Sequence, residues 1–230
     1  AIGYQTLQDN DSGSNNTAVG HCALHENENH HNTGVGMYAL LCNTSGTGNT
    51  AVGICGLCKN TSGDAGVAVG RDAAANNTTG DCNVATGYQS LYNNVTGSKN
   101  VAVGFAAAKT LANGSTASTA PDNSTYVGSC TRSYSVSSTN ETVLGYCACG
   151  CGDNTMSFGN ANVTDNYFNG NIIACATDPR IRVEATAGNH PGFEWLEAGS
   201  RKWITYNDPD SSQGGNDNLT WKNASDTELM

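Results

Sequence analysis

The sequence predicts an all-β fold: a repeat β-solenoid or β-roll with coils of about 17 residues over 1–159, then a small antiparallel β domain over 160–230. Three observations carry this expectation. Glycines recur in phase, short runs of alternating β-branched and small residues precede them, and large apolar side chains are scarce before residue 150. A stretch dominated by Ala, Val, Gly, Asn, Thr and Ser cannot bury a thick core. It must build a thin, repetitive one or stay unfolded.

The anchors are Gly3, Gly20, Gly36, Gly53, Gly70, Gly87 and Gly104, spaced 17, 16, 17, 17, 17 and 17 residues apart. After a longer step the beat resumes at Gly128, Gly145 and Gly159. A second glycine follows ten residues after most anchors, at Gly13, Gly46, Gly63, Gly80, Gly97 and Gly114, with His30 in that slot of the short coil. Such phase-locking marks stacked structural repeats.

Each unit then reads in order. A run such as Thr17-Ala18-Val19-Gly20 or Val101-Ala102-Val103-Gly104 has the period of two of a strand, β-branched on one face and Ala or Gly on the other. Four residues past the anchor come Leu7, Leu24, Leu40, Leu57, Ala74, Leu91 and Ala108, a second inward slot. A polar turn follows, such as Asn43-Thr44-Ser45-Gly46, where Asn and Gly are expected to supply the positive φ of a tight corner. Two short strands and two corners per unit make one solenoid coil. Ala or Gly at the middle strand position implies close packing against that face by a neighbouring chain, hence a homotrimer of rolls around a common axis.

Asn49-Thr50-Ala51-Val52-Gly53 and Gly87-Tyr88-Gln89-Ser90-Leu91-Tyr92-Asn93-Asn94 resemble the head repeats of trimeric autotransporter adhesins. They are also similar to related repeats in phage tail fibres and in proteins of large DNA viruses. The resemblance spans roughly 1–159 and implies a parallel β-roll trimer, although the adhesin repeat is shorter. It implies a structural or adhesive segment of a virion fibre, exposed at the virion surface. Its partners would be two further copies of itself, other fibre proteins, and a glycan or protein of the host surface. A bacterial surface adhesin head and a fibre-borne glycan depolymerase are the alternatives. Ala1 falls mid-repeat, so the chain reads as part of a longer protein.

Beyond Asn160 the beat stops. Arg180–Thr186, Gly192–Leu196, Lys202–Tyr206 and Asn218–Lys222 read as strands between turns such as Asp208-Pro209 and Gly214-Gly215. Phe193, Trp195, Trp203, Tyr206 and Trp221 concentrate there, as a core or trimer interface, or as exposed stacking platforms for host glycans. Trp195, Trp203 and Tyr206 are thus candidate receptor-binding residues. So are Thr110, Asn113 and Asp122 in the insert between Gly104 and Gly128, which reads as a recognition loop or a spacer.

The remaining constellations read as structural. Cys22, Cys55, Cys130 and Cys147 fall two residues after an anchor and Cys149 falls in the Leu slot, positions that suit small buried hydrophobes better than zinc ligands. His30 and His31, near His21, His25, Glu26 and Glu28, are weak metal candidates at a solvated corner. No cofactor is expected. No nucleophile, zincin or phosphate-loop motif occurs, and the chain reads as a non-enzyme. A net charge of −10 disfavours nucleic acid and anionic lipid, and no apolar run approaches the roughly 18 residues of a membrane span. An ice-binding solenoid is disfavoured, because the flat face reads as mostly Ala, Gly and Asn, and Thr17, Thr33 and Thr50 give way to Val67, Val84 and Val101.

Overall fold

The computed structural model describes residues 1–163, Asn166 and three C-terminal strands, Gly192–Glu197, Ser200–Asp208 and Asn218–Asn223. The chain divides into two units, Ala1–Asn166 and Tyr167–Met230. In the first, nine strands of three residues stack in sequence order into one parallel sheet. They are β1 (Thr17–Val19), β2 (Thr33–Val35), β3 (Thr50–Val52), β4 (Val67–Val69), β5 (Val84–Thr86), β6 (Val101–Val103), β7 (Thr125–Val127), β8 (Thr142–Leu144) and β9 (Met156–Phe158). Register is in phase throughout, Ala51 lying opposite Ala68 and Ala68 opposite Ala85. This is a parallel β-solenoid of 17-residue turns, without a helix among the described residues. Nine strands at the usual interstrand spacing of about 4.8 Å give a stack about 38 Å tall.

Each coil contains one strand rather than two. The far side, including the Leu slot, is an irregular ribbon in which the second and fourth residues past the anchor are left-handed. Tyr38 and Leu40 have φ of 61° and 52°, and Cys55 and Leu57 have 53° and 48°. A β-branched side chain at such a φ is strained, which explains why Leu or Ala, never Val or Ile, fills the slot in the coils from Gly3 to Gly104. Arg132 and Cys149, which take it in the last coils, do not have a positive φ. The ribbon still bonds to its neighbours: Leu40 N donates to Gly56 O at 3.0 Å and Leu57 N to Ala73 O at 3.0 Å.

The strand orientation is the reverse of the sequence expectation. Ala18, Ala51, Ala68, Ala85 and Ala102 are fully buried within their own chain and face the buried Leu24, Leu40, Leu57 and Leu91. A Cβ on Gly34 would stand 3.2 Å from Leu24 Cγ. The interior is one small plus one large side chain thick, so Ala and Gly mark a narrow core and not a subunit contact. The β-branched residues on either side of them point outward.

The corners correct a second expectation. Asn43 and Gly46 are not the positive-φ residues; that conformation falls further on, at Gly48 with φ 69° and its equivalents Ala65 and Cys82. Asn43 is instead buried in a ladder. Asn27 donates to Asn10, Asn43 to Asn27, Asn60 to Asn43, Asn77 to Asn60 and Asn94 to Asn77, at 2.7–3.0 Å. The other Nδ2 hydrogen of Asn43, Asn60, Asn77 and Asn94 goes to the carbonyl of Gly46, Gly63, Gly80 and Gly97 in the same corner. A second ladder of Asn16, Asn32 and Asn49 accepts the backbone N–H of Asn32, Asn49 and Gly66 from the coil beyond. Buried amides satisfied on every side stabilise the corner, whereas an orphaned one would cost about 1–3 kcal/mol. Gly46 is required by proximity: a Cβ there would lie 2.5 Å from Gly63 O.

Two irregularities follow from the same corner. In the short coil the glycine slot is held by Asn29, whose carbonyl accepts from Asn27 and Asn16, and not by His30. The missing residue therefore lies inside the turn. Gly114 likewise leaves its expected slot: Pro121 supplies the carbonyl that accepts from Asn100, and Gly114 sits on the insert with φ 74°.

In the C-terminal unit β10 (Gly192–Glu197), β11 (Ser200–Asp208) and β12 (Asn218–Asn223) form an antiparallel sheet. Trp195 is the register partner of Trp203, Thr205 of Trp221, and Tyr206 of both Gly192 and Thr220. The expected strand Arg180–Thr186 lies outside the described residues.

Candidate interaction surface

Because the small residue of each strand points inward, its two neighbours form the outer face of the sheet. One row is Thr17, Thr33, Thr50, Val67, Val84, Val101, Thr125 and Thr142; the next is Val19, Val35, Val52, Val69, Thr86, Val103, Val127 and Leu144. Val52, Val69 and Val127 are each 39% exposed. A third row follows the anchor glycines: Tyr4, His21, Met37, Ile54, Arg71, Tyr88, Phe105, Ser129 and Tyr146. Ile54 is exposed by 42%, Phe105 by 53% and Tyr146 by 68%. The flat face is thus Thr and Val, not Ala, Gly and Asn. At the spacings of a β-sheet these rows cover on the order of 500 Å², a mixed Thr, Val and aromatic patch of the size that often marks a contact site on a soluble chain.

Stacking from coil to coil rigidifies the third row. Tyr4 lies on His21 at 5.5 Å, His21 meets Tyr38 edge-on at 5.3 Å, and Tyr88 stacks on Phe105 at 5.3 Å with Arg71 over its other face. Arg71 is the one formal charge in the three rows, and its Nε is 3.2 Å from Asp72 Oδ2.

The insert forms a small excursion closed by bridges between Thr110 and Ala117, Leu111 and Ser133, and Asp122 and Thr139. Asn113 occupies its exposed tip, where Oδ1 accepts from Ser115 N at 3.0 Å and Thr116 N at 2.9 Å. Thr110 is half-buried. Asp122 accepts from Ser98 N at 2.7 Å and so closes a corner between coils. Of the three insert candidates, Asn113 is the one displayed. Trp195, Trp203 and Tyr206 belong to the separate C-terminal sheet.

His30 Nδ1 accepts from Ser14 N at 2.9 Å, and His31 Nε2 lies 3.3 Å from Asn15 Nδ2. Among the described residues no group of three or more His, Cys, Asp or Glu is placed to hold a metal. The nine described cysteines are unpaired. Burial, then the neighbouring Cys55 and Cys42, pushes the Cys58 thiol up to about 12, and its Sγ lies 3.6 Å from Ala75 O. Burial, and then Glu26, also raises Cys42.

Sequence reasoning missed one buried cluster. Glu141, wholly buried, takes the register position that Asn16, Asn32 and Asn49 hold in earlier coils. Tyr126 donates to its Oε2 at 3.1 Å, and Ser133 Oγ lies 3.4 Å from the same oxygen. Burial raises the Tyr126 phenol, with Glu141 adding to the effect. The signal was available: Tyr126 replaces an inward Ala one coil before a carboxylate takes the position that Asn100 and Ser124 hold in the two preceding coils.

Comparison with family models, curated proteins and solved structures returned no match.

Proposed function

We propose that this chain is a structural and adhesive segment of a trimeric virion fibre that aids host attachment. The observation that carries the reading is the outward face of in-register Thr, Val and aromatic side chains along β1–β8. It repeats at the coil pitch and holds one formal charge, so the same face of another copy would match it along its length. Three rolls packed by these rows bury the valines and leave the polar corners and the Asn113 tip in water. A stiff stack would then present each tip three times, so that weak contacts add by avidity. The C-terminal strands fit a small antiparallel β domain of the same fibre. Host glycan or protein would be the ligand, and other fibre proteins the neighbours.

The test is binding of the purified chain to an array of surface glycans and to candidate host cells, with substrate cleavage followed alongside. Saturable binding without cleavage is the expected result. Glycan digestion would instead assign a depolymerase. Absence of binding by a folded assembly would assign this stretch to the shaft.

One observation favours a second reading, ice binding: flat, in-register rows of Thr and Val. A monomeric chain that produces thermal hysteresis would establish it.

A further inference from the structure

The Asn ladder constrains where this chain can fold. Four of its members open acceptor sequences for N-linked sugar: Asn43-Thr44-Ser45, Asn60-Thr61-Ser62, Asn77-Thr78-Thr79 and Asn94-Val95-Thr96. All four asparagines are at most 1% exposed. In each, one Nδ2 hydrogen goes to the Asn of the preceding coil and the other to the glycine carbonyl of its own corner. Transfer of a sugar forms a bond from Nδ2 to the anomeric carbon, breaks that carbon's bond to a lipid-diphosphate carrier, and releases one Nδ2 proton. It therefore removes a ladder donor and places a polar, bulky group in a corner that admits no solvent. The two states are mutually exclusive at every one of these positions.

We infer that the solenoid folds in a compartment without N-glycosylation, and that any surface display follows from assembly and not from transit of a glycosylating secretory route. A second observation points the same way. The nine described cysteines are unpaired even where thiols share a corner, as Cys55 and Cys58 do, the pattern of a chain folded under reducing conditions. Asn113, Asn123 and Asn140 also open acceptor sequences but are exposed. They tolerate sugar and serve as internal controls.

The test expresses the full chain in one eukaryotic cell type, either in the cytosol or behind a cleavable secretion signal. Glycan occupancy is mapped by mass spectrometry and folding is read as the protease-resistant fraction. The cytosolic chain is expected to be unmodified and resistant. The secreted chain is expected to carry sugar on one or more ladder asparagines and to lose resistance. Inhibiting synthesis of the lipid-linked donor should restore it. So should the combined variant Ser45→Ala, Ser62→Ala, Thr79→Ala and Thr96→Ala, which removes the acceptor sequences at exposed positions and leaves the ladder amides untouched. A protease-resistant secreted wild-type chain, sugared or not on these asparagines, would overturn the inference. Failure of both the inhibitor and the variant to restore resistance would overturn it as well.

Discussion

The coils before the insert and those after it solve one packing problem in opposite ways. From Gly20 to Gly104 the strand contributes a small inward residue, Ala18 to Ala102, and the ribbon contributes a large one, Leu24 to Leu91, with Ala74 interrupting the row. After the insert the strand contributes Tyr126 and Val143, the Leu slot passes to the half-buried Arg132 and Cys149, and the buried ribbon residues are Thr131 and Ala148, one position earlier. Polar support changes with it: a ladder of amides gives way to the Glu141 carboxylate held by Tyr126 and Ser133. Interior volume and satisfied corners are therefore the conserved quantities along the stack, and the identity of the residue supplying them is not. An in-phase amide ladder extends coil by coil, whereas the carboxylate cluster is a local solution.

The largest expected effect comes from removing what both regions share. Gly53 has φ 132°, and a Cβ there would lie 2.6 Å from Gly70 O. Gly53→Ala should cost about 4 kcal/mol through combined strain and overlap, read as a lowered urea midpoint. Next is Asn60→Leu, which takes one of two donors from Asn43 Oδ1 and from the Gly63 carbonyl, both still reached by Asn49 Nδ2, and leaves one buried Asn77 Nδ2 hydrogen without an acceptor. It should cost about 3 kcal/mol in the same measurement.

The comparison itself is sharpened by reciprocal changes. Ala68→Val overfills the strand side of an early coil, and Val143→Ala empties that side of a late one. Each should destabilise by about 2 kcal/mol. If Ala68→Val were neutral, the early interior would not be set by the Leu row.

The smallest effect is alkaline. Cys58 has a folded-state pKa raised from 9.0 to about 12, so the protonated thiol is favoured by folding. Its contribution is complete below pH 9.0 and is lost as pH rises towards about 12. Wild type should therefore lose more stability between pH 8 and about 10 than Cys58→Ala does, in urea midpoints at each pH.

How much of this was legible in the sequence depends on the residue. The anchors were legible because only glycine tolerates a φ near 132° against the next coil's carbonyl, so the constraint leaves one residue type. The Leu slot was legible as buried, but its left-handed backbone was hidden, although the absence of Val and Ile there records it. The sidedness of the strand was misread. Ala flanked by Val is compatible with either face inside, and only the presence of Leu57 across a narrow interior decides it. The candidate surface inherited that error: the valines assigned inward are the exposed face. Asn43 was misread because asparagine serves equally well at a positive-φ corner and in a buried amide ladder, and single-residue chemistry does not separate the two.

The most direct test of the account is the mass of the purified chain by sedimentation equilibrium, beside a variant carrying Val69→Glu and Val103→Glu on the outward face. The wild-type chain should sediment at three times its 23.7 kDa chain mass, and the variant at one chain with its β circular dichroism kept. A wild-type chain that sediments as a monomer, or a variant that remains trimeric, would contradict the assignment of this face to contact between copies.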